Sequence, residues 1–263
     1  MKKPVNTIVL LTLIFAVALA GCAPKNTGGS ETEAVPTKAP TSAPAPTPIP
    51  PNSISRSLRL DPATTNDYES LTISSYIYDC LTRLDASGQP QPALALTWTP
   101  SEDQLEYLVT LREGVKFQNG SDFNADVVLA NFNRWFDPKN ALHGTGEYFG
   151  WKDFFLGFQG DVDENTIPIS FYDGVEKVDK YTVLIHLNRP EPNLFTYLAQ
   201  PYFAMLDPQL LADKGNTYGT AADSVTGTGA YEVSAWTESG LVLAPSQVSW
   251  GEKPTANLEF SWK

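Results

Sequence analysis

Two cysteines, two histidines and two methionines are all that the 263 residues hold of the side chains most used in redox, acid–base and soft-metal chemistry. The sequence has no His-Glu-x-x-His zinc pattern and no Gly-x-Ser-x-Gly nucleophile elbow, so nothing in it assembles a known hydrolytic centre. No enzyme activity is expected. His186 falls in the alternating run "YTVLIHL", where it is expected as a satisfied or exposed strand residue. The stretch "DVDENTIPISFY" begins like a calcium loop at Asp161, Asp163 and Asn165 but lacks Gly at its sixth place and Glu at its twelfth, so it reads as a solvated turn. No metal and no cofactor is expected. Basic residues are also scarce, 18 against 30 acidic ones. Phosphate binding needs a basic stripe that is missing here, so nucleic acid is not an expected partner, and the acidity reads as solubility.

Long apolar runs are lacking too. The segment from Ile8 to Ala20, at roughly 13 residues, is shorter than the about 20 that a spanning helix needs. It follows Lys2 and Lys3 and ends at Leu19-Ala20-Gly21-Cys22, the order of a secretory signal over residues 1–21. Leu-Ala-Gly-Cys resembles the lipobox of bacterial lipoproteins, which implies cleavage before Cys22 and lipid on its sulfur; the alternative is a cysteine placed by chance at the end of an ordinary signal peptide. A diacyl anchor supplies the two chains that stable attachment requires, so the expected location is the extracytoplasmic face of the cell membrane. Loss of residues 1–21 removes two lysines and leaves 16 basic residues against 30 acidic, a net charge of −14. Cys80 is then the one remaining thiol, which excludes an intramolecular disulfide. Residues 22–52 are rich in Pro, Thr, Ser and Ala and bury too little surface to offset ordering entropy. They read as a disordered stalk able to reach roughly 90 Å at about 3.1 Å per residue.

From Ser53 onward the pattern is that of a folded domain. "SISRSLRL" predicts a strand, "ESLTISSYIYDCLTRLD" a helix with Leu71, Ser75, Tyr78 and Leu81 on or near one face, and "DASGQPQP" a turn. Leu105, Tyr107, Val109 and Leu111 alternate as in a half-buried strand. Asn119-Gly120 predicts a tight turn with positive φ angles. Asn124 is placed as an N-cap, and Val128, Phe132 and Trp135 form the apolar stripe of a helix that Asp137-Pro138 ends.

The order of these motifs carries a resemblance. Pro92 to Ala95, Trp98, Asp103, Leu111-Arg112, Lys116-Phe117, Asn119-Gly120 and Ala125-Asp126-Val127, with "LDP" at Leu60 to Pro62, "VDKYTVLIHL" at Val178 to Leu187, "GTGAY" at Gly227 to Tyr231 and then Trp236, resemble the family 5 extracellular solute-binding proteins. Cys80 departs from the glycine frequent there, a substitution a small core hydrophobe tolerates. The resemblance implies an α/β fold of the periplasmic-binding-protein type II, present in part. Residues 53–86 and 177–263 would belong to an incomplete first lobe and 87–176 to a smaller inserted domain, with the second lobe absent from these residues. It also implies a substrate-binding lipoprotein, monomeric when complete, that captures short oligopeptides and hands them to an ABC permease in the membrane. Nickel-chelate or oligosaccharide binding, or peptide sensing without import, are the alternatives. His143 would matter for a chelated metal.

The resemblance places ligand contacts in the loop after "LDP", at Asn66, Asp67 and Tyr68, and secondarily at Thr228 and Gly229 of "GTGAY". The alternatives are that Asp67 and its neighbours only cap the following helix and that Gly229 only permits a backbone turn. Trp98, Arg112, Phe117 and Trp135 are expected to be framework. Cys22→Ser is expected to release the protein from the membrane and to abolish labelling by a palmitate analogue in cells; a variant that stays membrane-bound would refute the anchor.

Overall fold

The computed structural model describes residues 58–251 and 253–262. The signal segment, Cys22, the stalk and the first part of the expected strand at Ser53 lie outside the described residues. The chain runs through α1 (Tyr68–Ile77), β1 (Thr82–Leu84), β2 (Pro90–Pro92), β3 (Ala95–Pro100), β4 (Glu106–Leu111), α2 (Ala125–Phe136), α3 (Phe149–Phe155), β5 (Tyr172–Asp179), β6 (Thr182–Leu187), α4 (Leu194–Tyr197), α5 (Pro208–Lys214), β7 (Tyr231–Thr237), β8 (Gly240–Pro245) and β9 (Leu258–Ser261). Among the described residues three antiparallel sheets result: the hairpin β1-β2, a four-stranded sheet ordered β3-β4-β6-β5, and a three-stranded sheet ordered β7-β8-β9.

The four-stranded sheet follows from its alternation. Tyr107, Val109 and Leu111 of β4 are buried while Glu106, Leu108 and Thr110 face solvent, and Val183, Ile185 and Leu187 repeat the pattern on β6. Against this inner face packs α2. Its start is fixed by Asn124, whose side chain accepts from the N–H groups of Asp126 and Val127 at 2.9 and 3.3 Å, and it buries Val128, Phe132 and Trp135 as the stripe predicts. Aromatic rings fill the space between helices and sheet: Trp151 stacks on Phe155 at 4.1 Å, Phe132 on Tyr172 at 5.4 Å, and Trp135 meets Phe203 edge-on at 5.4 Å. Rings bury large areas with defined geometry, which suits a core stapled by no disulfide. A second core lies between α1 and the three-stranded sheet, with Leu60, Ile73, Ile77, Leu241, Leu243 and Phe260 at its centre.

Four expectations change. The helix over Glu69 to Asp85 stops at Ile77, because Tyr78 leaves it to donate its hydroxyl to the Leu60 carbonyl at 2.7 Å and Thr82–Leu84 joins a ladder with Pro90–Pro92. Its buried residues are consequently Ser70, Ile73, Ser74, Tyr76 and Ile77, with Leu71 half-buried and Ser75 exposed. Leu58 to Leu60 form no ladder; Leu60 instead donates its N–H to the Gly219 carbonyl at 2.8 Å. Finally, the expected boundary at 176/177 falls inside β5, and β6 lies between β4 and β5, so residues through Leu187 share a sheet with the segment expected to be separate.

The turn at Asn119-Gly120 also differs in detail. Only Gly120 has positive φ, at 91°. Gly120 N–H donates to the Phe117 carbonyl at 2.8 Å and Phe117 N–H to the Ser121 carbonyl at 2.9 Å, so the loop is a three-residue hairpin closed by a glycine in the left-handed region. A Cβ built at Gly120 meets no atom within 4 Å, so a side chain there is penalised by backbone conformation alone. Gly120→Val is expected to cost about 1 to 3 kcal/mol and Gly120→Asn clearly less, since Asn tolerates positive φ. Equal thermal midpoints for the two variants would show that conformation is not the constraint.

Candidate functional site

The loop after Leu60-Asp61-Pro62 makes a 3-10 turn over Pro62–Thr64 and leads into α1. Asn66 is exposed, and Tyr68 stands 76% exposed at the first position of the helix. Asp67 is the N-cap, its carboxylate accepting from Ser70 N–H at 2.7 Å. The three residues expected to meet ligand are thus together, and one of them also has the capping role that was its alternative.

Below this loop opens a cavity of about 390 Å³, lined by Arg59, Asp61 and Thr64 from one side, Arg134 and the 141–146 loop from another, and Asn216 and Tyr218 from a third. Its floor is an ion pair between Arg134 Nη2 and Asp61 Oδ2, with side chains only 2% and 11% exposed. Arg134 also donates from Nε to the Leu142 carbonyl at 3.0 Å and lies over the Tyr148 ring at 5.4 Å. Burial lowers its proton affinity, but the Asp61 carboxylate more than restores it, so Arg134 stays charged. His143 stacks on Tyr148 at 4.1 Å and places Nδ1 2.7 Å from the Arg134 carbonyl. Burial holds its imidazole below the ordinary value, against the opposing pull of that carbonyl. The sequence carries one signal for this arrangement: Asn131 and Arg134 interrupt the apolar face of α2, and a buried polar residue needs a partner.

Thr228 and Gly229 lie elsewhere. Gly229 N–H donates to the Ile77 carbonyl at 2.9 Å, and a Cβ at Gly229 would stand 2.7 Å from that carbonyl, so the loop packs on the C-terminal end of α1. Asn66 to Tyr68 are at the other end of this ten-residue helix, about 15 Å away at 1.5 Å per residue. Thr228 is fully buried and donates its hydroxyl to Asp79 Oδ2 at 2.8 Å, which also accepts Trp250 Nε1 at 2.9 Å. Arg112 sits over the Trp250 ring at 4.2 Å. Trp98, Phe117 and Trp135 are likewise packed into, or against, the core of the four-stranded sheet.

Residues 89–259 match the bacterial extracellular solute-binding proteins, family 5. The chain belongs to this family. The Escherichia coli K12 glutathione-binding protein GsiB is 34% identical over 205 residues, covering 78% of this chain and 35% of that protein; the Salmonella typhimurium LT2 protein of the same name is 32% identical over the same spans. Among solved structures, the Helicobacter pylori periplasmic binding protein DppA in complex with the peptide STSA superposes with a TM-score of 0.65 at 25% identity, over 78% of this chain and 40% of that one. HbpA2 of Haemophilus parasuis gives 0.66 at 30% identity, over 78% and 41%. The chain therefore spans about a third of the length of these curated relatives, and its fold is part of the α/β type II periplasmic-binding-protein architecture.

In this family 5 chain, Asp79 is the group whose chemistry is easiest to isolate. Burial raises its carboxyl above the ordinary value, against the lowering effect of the bonds from Trp250 and Thr228 and the charges of Arg112 and Arg83. A raised value in the folded state means that the stability Asp79 contributes is fully present below its ordinary value of 3.8 and is lost as pH rises through the raised one. Asp79→Asn keeps an oxygen for both donors and is expected to be at least as stable as wild type at pH 7, with the advantage vanishing in acid. Asp79→Ala leaves Thr228 and Trp250 unpaired and should lose about 2 to 4 kcal/mol. Thermal melts at pH 4 and pH 7 check this; equal losses for Asn and Ala would refute it.

Proposed function

We propose that this chain is the first-lobe portion of a substrate-binding lipoprotein of an ABC importer, held by lipid on Cys22 at the extracytoplasmic face of the membrane. It captures short oligopeptides, and a permease receives them. The carrying observation is that a chain of this family leaves, at the loop after Leu60-Asp61-Pro62, a polar cavity of about 390 Å³, a size within the roughly 300 to 1,000 Å³ of small-ligand sites. The Helicobacter pylori protein, solved with the peptide STSA, supports an oligopeptide over other solutes. No covalent step is involved. Binding is capture against this wall, completed in the whole protein by closure of a second lobe about a hinge.

In this reading Asn66, Asp67 and Tyr68 meet ligand directly, from the loop that contributes Asp61 and Thr64 to the cavity, Tyr68 offering an exposed ring and Asn66 an exposed amide. Thr228 and Gly229 serve the site by holding the far end of α1, since the Thr228 hydroxyl and the Gly229 N–H are already bonded within the protein. The module built on the four-stranded sheet, through Leu187, acts as the inserted domain that backs the wall.

One open wall encloses little of a ligand, so affinity is expected in the millimolar range, about 4 kcal/mol of binding free energy, and the test must read weak binding. A ¹H–¹⁵N NMR titration with a pool of tri- to pentapeptides is expected to shift the amides of Thr64 to Tyr68 and His143 to Gly146 selectively. No shifts there at 10-fold excess over about 1 mM, or shifts confined to other surfaces, would sink the proposal.

A further inference from the structure

We propose that Arg59 anchors a carboxylate of the ligand at the rim of this cavity, so that the site selects solutes carrying a free carboxylate, such as peptides with an unblocked C-terminus. The inference rests on the solute-binding reading and adds to it the chemical class of ligand.

Four side chains with charge-bearing groups line the cavity: Arg59, Asp61, Arg134 and His143. Two of them cancel, because Asp61 and Arg134 form the buried ion pair. The third, His143, is half-buried against Tyr148, where burial holds its imidazole below the ordinary value and Nδ1 is committed to the Arg134 carbonyl. Arg59 remains. Its backbone N–H is fixed to Ser70 Oγ at 3.0 Å, beside the first turn of α1, while its exposed side chain makes no hydrogen bond or ion pair with any described residue. The cavity thus carries one uncompensated positive charge on a chain whose net charge is −12. The neighbouring loop adds donors. The N–H groups of Gly144 and Gly146 bond to no described residue, and Asn216 uses Oδ1 to accept Thr145 N–H at 3.2 Å, which leaves its NH₂ available.

Arginine presents a planar fork that matches a carboxylate in two parallel bonds, a geometry lysine lacks. A free carboxylate matches that fork, and the loop donors line the same cavity. An amide end offers one neutral oxygen and brings two further N–H donors toward a cationic rim. The preference is therefore for the charged end, and Arg59 is the residue that sets it.

The experiment uses the whole chain and three probes: tri-alanine with a free C-terminus, its C-terminal amide, and acetate, each titrated by NMR with the Arg59 Nε–Hε resonance assigned through Arg59→Gln. The free acid is expected to bind at least 10-fold more tightly than the amide. Arg59→Gln should bring the acid down to the level of the amide and leave the amide unchanged, with Arg59→Lys intermediate. Because Arg59 is exposed, unchanged thermal midpoints are expected to show that each variant is folded. Equal binding of acid and amide to wild type overturns the anchor and leaves the peptide reading standing, as does a preference that survives in Arg59→Gln. If neither peptide binds but acetate moves Arg59 Nε, the anchor stands and the peptide reading falls. If no probe moves Arg59 Nε, the anchor falls.

Discussion

The ion pair between Asp61 and Arg134 is the contact on which the described structure turns. Asp61 sits between Leu60 of the α1 core and Ala63 of the sheet core, and Arg134 projects from α2, which packs on the sheet. The pair therefore ties both cores at one point and forms the cavity floor. Removing two charges from water costs several kcal/mol each, and their attraction repays this only with good geometry and satisfied remaining atoms. Satisfaction here is incomplete, since Asp61 Oδ1 and Arg134 Nη1 are buried without a partner. Net stabilisation is then a poor reason for the pair to exist. Its effect lies in the alternative: a lone charge at either position would cost about 3 to 5 kcal/mol, so an arrangement of the two cores that separates Asp61 from Arg134 is strongly disfavoured. The cavity wall inherits its fixed shape from that penalty.

The hairpin at Phe117 to Ser121 works in the same direction. Its turn type serves the sheet module, but its polar side chains face the other core. Gln118 accepts Gly227 N–H at 2.7 Å and donates to the Tyr231 carbonyl at 2.8 Å, and Asn119 N–H reaches Thr226 Oγ1 at 3.1 Å. Asn119 and Ser121 both donate to Asp207. Burial would push the Asp207 carboxyl up, but these bonds and the Leu210 N–H outweigh it and hold it below the ordinary value. A segment whose spacing speaks only of a tight turn is thus a strap between cores, and it reaches the loop that carries Thr228 and Gly229.

That contrast shows what the sequence makes legible. Period-two burial in β4, the Asn124 cap and the stripe Val128, Phe132, Trp135 are local consequences of backbone geometry, so they can be read from spacing alone, and the structure bears them out. The turn was half legible: the glycine was placed correctly, while Asn119 takes no positive φ because the loop has three residues rather than two. Long-range polar pairing was not legible. Nothing in the neighbourhood of Arg134 names Asp61, 73 positions earlier, and nothing near Thr228 names Asp79, 149 positions earlier. The end of α1 was missed for the same reason, since Tyr78 leaves the helix for a partner at Leu60. Of the cavity, the sequence pointed to the neighbouring loop at Asn66 to Tyr68, while the lining at Asp61, Arg134 and the 141–146 loop was not read.

An acidic protein with a cationic pocket raises the question of which field a ligand meets. Screening at physiological salt confines a surface charge to about 8 Å, so carboxylates on the far sheets contribute little at the cavity. The near field is set by what cannot be screened. The Asp61 carboxylate is sealed under its arginine, with no exposed oxygen left unbonded to repel an anion, while Arg59 and the glycine N–H groups of the 143–146 loop remain open. Burying Asp61, the one carboxylate in the cavity lining, therefore does two things at once. It locks the two cores together, and it removes from the pocket the charge that would oppose a carboxylate, so that a strongly acidic chain presents a locally positive wall.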